Sequence, residues 1–284
     1  MQHQSFLEFK RYRYLKLAVL LSLVCALAYG WHRNYRFDSP GGLGYGGSPM
    51  GYALGTLAAL LILWLLLLGV RKRRYGASGT SLQGWLSAHV YLGVAVVVIA
   101  TLHSGLELGF NLHSLTFVLL LLVVGSGMYG VVMYLRIPSR MTDAMGEDSV
   151  QTLMLQVTEI DQQARRVVLR LPDEYNTLTL DAAENTRLQG TVFDHLLKSS
   201  SRRCPTALAV RRMQQLNRGL LDEQGRLGRE LFGLMLSRRS AVERIRREYR
   251  ALARLRLWLL LHVPLSMALL FALAAHIVSV FIYW

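Results

Sequence analysis

Four of the eight histidines lie in strongly apolar stretches, where an ionisable side chain is costly and is therefore a candidate functional group. They form two pairs, His89 with His103 and His262 with His276, and the members of each pair are 14 positions apart. In an α-helix this spacing is about 3.9 turns and about 21 Å, so paired side chains lie about 40° apart on one face. Neutral imidazole binds iron, copper and zinc. The spacing predicts two helices that each offer a metal ligand near both ends.

Five apolar segments are long enough to position these residues in a bilayer, because a spanning helix needs about 20 apolar residues and tolerates about 17. They are residues 15–31, 52–70, 85–108, 115–135 and 257–284. The third carries one histidine pair and the fifth carries the other. The chain is 52% hydrophobic and only 18% charged, whereas soluble domains carry about 25% charge. We therefore expect an all-α membrane protein built on a bundle of five transmembrane helices.

The basic residues predict the orientation of this bundle. Of the 32 Lys and Arg residues, all but Arg33 and Arg36 fall in segments that the positive-inside rule assigns to the cytoplasm. We expect a bacterial inner-membrane protein with a cytoplasmic N-terminus and a periplasmic C-terminus. Both histidine helices then run outward, so that His89 and His262 share the cytoplasmic level and His103 and His276 share the outer level. The net charge of +14 thus indicates topology rather than a nucleic-acid partner.

Residues 136–256 separate the first four predicted helices (1–135) from the fifth (257–284), and they carry 22 Lys and Arg against 15 Asp and Glu. A segment this long needs its own structure, and we expect a mainly helical cytoplasmic domain. Its pattern predicts a helix over 207–256 and a short strand at 167–171 with a candidate partner at 178–180. An arginine-rich stretch precedes the fifth span, and it suits anionic lipid, an acidic protein or haem propionates. Its residues are Arg238, Arg239, Arg244, Arg246, Arg247, Arg250, Arg254 and Arg256.

Two imidazoles that face each other at one depth can bind both axial positions of a haem iron, and a flat apolar porphyrin fits between helices. We therefore predict two b-type haems, one held by His89 and His262 and the other by His103 and His276. Ligation from both sides leaves no open position, which favours electron transfer. Gly93 lies one turn after His89 and would leave room for a porphyrin, although close helix packing explains it equally well. Zinc is the weaker alternative, because ligands about 21 Å apart on one helix cannot share an ion.

Two further histidines, His32 and His113, fall near helix ends on the predicted outer side. Either could serve haem propionates, a proton path or a quinol, and either could equally be a solvated surface residue. The sequence does not choose between these roles.

The pairs His89 with His103 and His262 with His276 resemble the ligand pattern of membrane di-haem cytochromes b. That group includes the cytochrome b of quinol-oxidising respiratory complexes and the membrane domains of ferric reductases and NADPH oxidases. The resemblance implies two non-covalent b haems that carry electrons across the bilayer. It is specific only at the four histidines, and the insertion 136–256 is not part of the pattern.

We predict a transmembrane electron-transfer subunit of an oxidoreductase complex. No second redox centre is evident in the chain, so we expect it to exchange electrons with quinone or with a partner that carries an iron–sulfur, flavin or c-type haem centre. Two alternatives stay open. One is an outer-face reductase of metal ions or oxygen, and the other is a non-redox membrane anchor or sensor.

Overall fold

The structure, a computed structural model, describes residues 6–35, 47–73, 82–105, 109–136, 147–188, 204–219 and 222–282. These segments form eight α-helices: α1 Phe9–Tyr35, α2 Pro49–Arg73, α3 Leu82–Ser104, α4 Leu112–Arg136, α5 Glu147–Val168, α6 Asp173–Asn185, α7 Pro205–Leu216 and α8 Asp222–Ile282. Short 3₁₀ helices cover Phe6–Glu8 and Asn217–Gly219. The chain divides into two compact units, the first made of Met1–Val132 with Leu259–Trp284 and the second of Met133–Trp258. Helix α8 contributes residues to both.

Five helices are long and apolar enough to cross a membrane: α1 to α4 and α8. Their outward side chains are large and apolar, as at Leu27, Leu260 and Phe271, which are 72%, 68% and 69% exposed. Such side chains suit contact with lipid tails and would be costly in water. The chain is therefore consistent with an all-α, multi-pass membrane protein. The predicted fifth span starts at residue 257, whereas α8 already begins at Asp222 and continues to Ile282.

Helix α3 organises the first unit, because it packs closely against both α1 and α2. Among the described helices, no comparable close packing joins α3 to α4 or to α8. Side chains from α1 to α4 and from α8 nevertheless share one apolar core, which comprises Cys25, Leu54, Ala58, Ile62, Val96, Ile99, Leu120, Leu269 and Leu273. Helix α3 is thus in close contact on one side and is separated from α4 and α8 by side-chain layers.

In the second unit, the described residues 147–188 form two helices and a tight turn, so the predicted strands are wrong. Residues 167–168 end α5, and 178–180 lie inside α6. Along α5 the buried residues recur every three or four positions, from Val150 through Val157 to Ala164. That long helical period outweighs a short run of β-favouring side chains at its end. The predicted helix over 207–256 is confirmed in part, as α7 and α8 with the 3₁₀ turn Asn217–Gly219 between them.

The end of α7 is tied to its neighbours by Asn217. The Tyr175 hydroxyl on α6 donates to Asn217 Oδ1 at 2.8 Å, and Asn217 Nδ2 donates to the Gly228 carbonyl of α8 at 3.0 Å. Burial, with a smaller contribution from Glu174, raises the pKa of the Tyr175 phenol, so the phenol keeps the proton that it donates.

One arginine of the basic stretch is not at the surface. Arg238 is 1% exposed, and its Nε donates to Asp161 Oδ1 at 2.6 Å. Its Nη1 donates to the hydroxyls of Thr186 and Thr206. Arg238 is therefore a buried ion-pair residue of the second unit, whereas the sequence pattern grouped it with arginines that contact lipid or a partner.

We expect Arg238→Ala to destabilise the second unit by about 3 kcal/mol, because removing one member of a buried pair leaves Asp161 without its partner. The matched control is Arg212→Ala. In the Arg212–Glu174 pair, Nη2 lies 2.9 Å from Oε1, so this is also an ion pair at contact distance, but its side chains are 54% and 48% exposed. Exposed pairs contribute about 0–1 kcal/mol. Thermal unfolding of the full chain in detergent measures both. Equal losses in the two variants would contradict the assignment.

Candidate functional site

Two hydrogen bonds join the histidines of α3 to the backbone of α2. His89 Nδ1 lies 3.1 Å from the Leu65 carbonyl oxygen, and His103 Nδ1 lies 2.8 Å from the Gly51 carbonyl oxygen. A carbonyl oxygen only accepts, so each Nδ1 carries the proton and each Nε2 carries the lone pair. The acceptors are 14 residues apart on α2, as the histidines are on α3. Both bonds therefore belong to a single antiparallel register of the two helices.

The first turns of α2 form the seat for the His103 ring. Ser48 precedes the helix, its hydroxyl accepts from the Gly51 N–H at 3.0 Å, and Pro49 opens the helix, which together are a strong start signal. Gly55 lies one turn after Gly51. A Cβ added at Gly55 would come within 2.7 Å of His103 Cε1, so the ring occupies the space that a side chain would need.

On α8, His262 is oriented by a hydroxyl from α4. Ser126 Oγ lies 2.7 Å from His262 Nδ1 and 2.8 Å from the Val123 carbonyl oxygen. A hydroxyl both donates and accepts, so this contact orients the His262 ring without selecting its tautomer. A Cβ added at Gly127 would lie 3.5 Å from His262 Cε1, an ordinary packing distance. The ring therefore lies beside Gly127, with room for a Cβ between them.

The structure brings together the members of both predicted pairs. His103 and His276 have ring centroids 6.3 Å apart with an interplanar angle of 70°. The His89 and His262 side chains lie near each other. All four side chains are half-buried within the first unit. Their role as haem ligands stays a prediction.

A third imidazole joins His103 and His276. The His113 ring lies 5.3 Å from the ring of His103 and 5.1 Å from that of His276, and one ring nitrogen from each of the three lies within 4.8 Å of the others. Asn111 caps α4 by accepting from the Ser114 N–H at 2.8 Å, which holds His113 in the first turn. We call these three residues the histidine cluster. The sequence left the roles of both His113 and His32 open. Among the described residues, His113 belongs to the histidine cluster and His32 does not.

Gly93 is buried, yet an added Cβ at this position would meet no atom within 4 Å other than those of the adjacent turns of α3. It lies on α3 one turn beyond His89 and therefore on roughly the same face. Gly93 therefore leaves room for at least a methyl group on this face of α3.

No protein-family profile, curated protein or solved structure matches this chain. The resemblance to di-haem cytochromes b therefore rests on the four histidines alone. The function of the chain has to be inferred from the arrangement of its side chains.

We expect Gly55→Ala to destabilise the first unit by about 1–3 kcal/mol, the usual cost of overpacking, because the new Cβ displaces the His103 ring from the Gly51 carbonyl. Gly69→Ala is the control on the same helix, since an added Cβ there meets nothing within 4 Å. The control should be neutral or slightly stabilising. Thermal unfolding in detergent compares the two, and a neutral Gly55→Ala would show that the ring is not seated on α2.

Proposed function

We propose that this chain is an electron-transfer subunit of a membrane oxidoreductase and that it holds two b haems, one between His89 and His262 and one between His103 and His276. The observation that carries the proposal is the hydrogen bonding of the imidazoles. His89 and His103 each donate Nδ1–H to a carbonyl of α2, and His262 Nδ1 is hydrogen-bonded to the Ser126 hydroxyl of α4. Metal-ligating histidines almost always have such an outer partner, which fixes the ring and raises the basicity of Nε2.

At the level of His89, the donor set fits a haem. His89 and His262 come from α3 and α8, two helices without close backbone packing. Gly93 leaves room on the same face as His89, and the His262 ring lies beside Gly127 of α4. Two neutral imidazoles, with no carboxylate in α3 or in residues 257–282 of α8, suit iron in a porphyrin.

At the level of His103, the spacing of the axial pair also fits. Imidazole nitrogen binds a metal at about 2.0–2.1 Å, so two rings on opposite sides of one ion have centroids about 6 Å apart. The observed separation of His103 and His276 is 6.3 Å. His113 lies beside both rings, and its side chain must rotate away before a macrocycle can enter.

Haem supplies a one-electron carrier, and ligation from both sides favours electron transfer over oxygen binding. The residues of the chain set the conditions for it. The carbonyls of Leu65 and Gly51 hold His89 and His103 in one tautomer and one orientation, and the hydroxyl of Ser126 orients His262. The apolar spans exclude water around them. With haem bound at both levels, the two histidine pairs would form a route for electrons along α3 and α8.

We further propose that the protein resides in a bacterial inner membrane with its N-terminus in the cytoplasm, as the basic residues indicate. The His103 level then faces the periplasm and the second unit faces the cytoplasm. The second unit is a suitable docking platform for a partner redox protein, and quinone is the other candidate for electron exchange.

The haem content of the purified chain tests the proposal. We expect the pyridine haemochrome assay to give two b haems per chain in detergent. His89→Ala and His262→Ala should each remove the same one, and His103→Ala and His276→Ala should each remove the other, because a single imidazole is left on the iron. His195→Ala, outside the spans, is the control and should keep both.

A preparation with less than one b haem per chain would overturn the proposal. If such a colourless preparation still binds a protein partner through the second unit, the chain is a membrane anchor or sensor. Reduction of ferric chelates at the periplasmic face, lost with either histidine of the outer pair, would instead select the reductase.

We expect Gly93→Leu to lower the occupancy of the haem at the His89 level and to leave the other level intact, because the leucine side chain fills the space beside His89. Gly69→Leu, on an exposed position of α2, is the control for side-chain size. Reduced-minus-oxidised spectra with redox titration separate the two haems. Full occupancy of both levels in Gly93→Leu would mean that Gly93 serves helix packing only.

A further inference from the structure

The histidine cluster contains a third ring, His113, that a pair of haem ligands does not need. His113 is almost equidistant from His103 and His276, at 5.3 and 5.1 Å between ring centroids, whereas those two rings are 6.3 Å apart. His113 therefore lies close to the plane midway between them. A macrocycle held by His103 and His276 would occupy that same plane. The arrangement seen in this structure is one in which three imidazoles surround a common point.

We propose that the histidine cluster binds a single divalent transition-metal ion of the imidazole-preferring class, with Zn²⁺ as its most suitable occupant, in chains that carry no haem at this level. The proposal does not rest on the proposed function, but it shares His103 and His276 with it. Metal ion and haem at this level are therefore mutually exclusive.

The distances suit one ion after a small adjustment. One nitrogen from each ring lies within 4.8 Å of the others, and tetrahedral ligands at about 2.0–2.1 Å from zinc lie roughly 3.3 Å apart. The rings therefore need to close by about 1.5 Å at most, which side-chain rotation of half-buried residues provides. Three imidazoles with a fourth position for water form a well-known coordination set for zinc.

The surroundings also favour an ion. His103 has its Nδ1–H on the Gly51 carbonyl at 2.8 Å, which leaves Nε2 as the nitrogen that can bind an ion and supplies the outer partner that metal-bound histidines usually have. Each helix terminus carries about half a charge. His103 lies in the last turn of α3 and His276 near the end of α8, whereas His113 lies in the first turn of α4. The negative ends of α3 and α8 thus offset the positive end of α4.

The choice of metal is set by the donors. No Asp, Glu, Lys or Arg occurs in α3, in residues 112–135 of α4 or in residues 259–282 of α8. Oxygen-seeking Ca²⁺ and Mg²⁺ need carboxylate or carbonyl ligands, and a thiolate site needs cysteine. Neutral imidazoles alone suit Zn²⁺, Cu²⁺, Ni²⁺ and Co²⁺. Zinc accepts the irregular angles that three different helices impose, because it has no geometric preference from its d electrons.

Haem-free full-length chain, made by cell-free synthesis into liposomes without haem, allows a direct test with Zn²⁺ and with Co²⁺ as an optical probe. We expect one Zn²⁺ per chain by elemental analysis and visible d–d absorption of tetrahedral Co²⁺. His113→Ala should lower the Zn²⁺ affinity by more than 100-fold, because it removes a ligand. Loss of an outer-shell partner alone lowers metal affinity by about 10–100-fold. His89→Ala is the control, because it removes a histidine of the other level and should leave binding unchanged.

The role of His113 separates this proposal from the haem proposal. With haemin added, wild-type chains should lose the Co²⁺ absorption as haem binds, and His113→Ala should bind two haems but no Co²⁺. Thermal unfolding shows that each variant is folded. Metal binding that survives in folded His113→Ala, or full occupancy by two haems and a metal ion together, would overturn the metal site. Absence of haem binding in chains that bind zinc would overturn only the proposed function.

Discussion

The position of the α3 histidines depends on one requirement: an imidazole N–H within an apolar span must find an acceptor on another helix, because an unpaired polar group in hydrocarbon costs several kcal/mol. Helix α3 meets this requirement twice, through the carbonyls of Leu65 and Gly51. These bonds decide which ring nitrogen carries the lone pair, how each ring is turned and how far the two levels are apart. The two hydrogen bonds fit a single antiparallel register of α2 and α3, and the close packing of α3 on α1 and α2 stabilises the same arrangement.

Two of the rings are held by an acceptor and a nearby glycine on one neighbouring helix. His103 uses the Gly51 carbonyl and the space at Gly55, and His262 uses the Ser126 hydroxyl and lies against Gly127. Small residues in membrane helices usually let two backbones approach each other. At Gly55, the group that comes close is the imidazole ring of His103. Gly55 in α2 thus makes room for the ring that the Gly51 carbonyl orients.

Much of the first unit could be predicted from the sequence, since long apolar runs and a 14-residue histidine spacing are periodic signals that survive without tertiary context. The participation of His113 was not predictable in the same way. His113 is the single histidine of α4, so no spacing pattern points to it. Its closeness to the other two rings follows only from how the ends of α3, α4 and α8 come together, although the sequence had already placed it at the outer level with His103. The short strands were wrong because a local run of Val and Leu at 167–171 was given more weight than the helical period beginning at Val150. Arg238 was misplaced because charge patterning along one helix does not show a partner such as Asp161, which lies 77 residues earlier.

The equal spacing of donors on α3 and acceptors on α2 has a consequence for how such a chain can diverge. Deleting one residue between Gly51 and Leu65 would turn one acceptor by about 100° and shift it by about 1.5 Å relative to the other, so that only one of the two bonds could form. A compensating deletion between His89 and His103 would restore both. Insertions and deletions in these stretches are therefore tolerated only as pairs, and in descendants of this sequence the two helices should lengthen or shorten together.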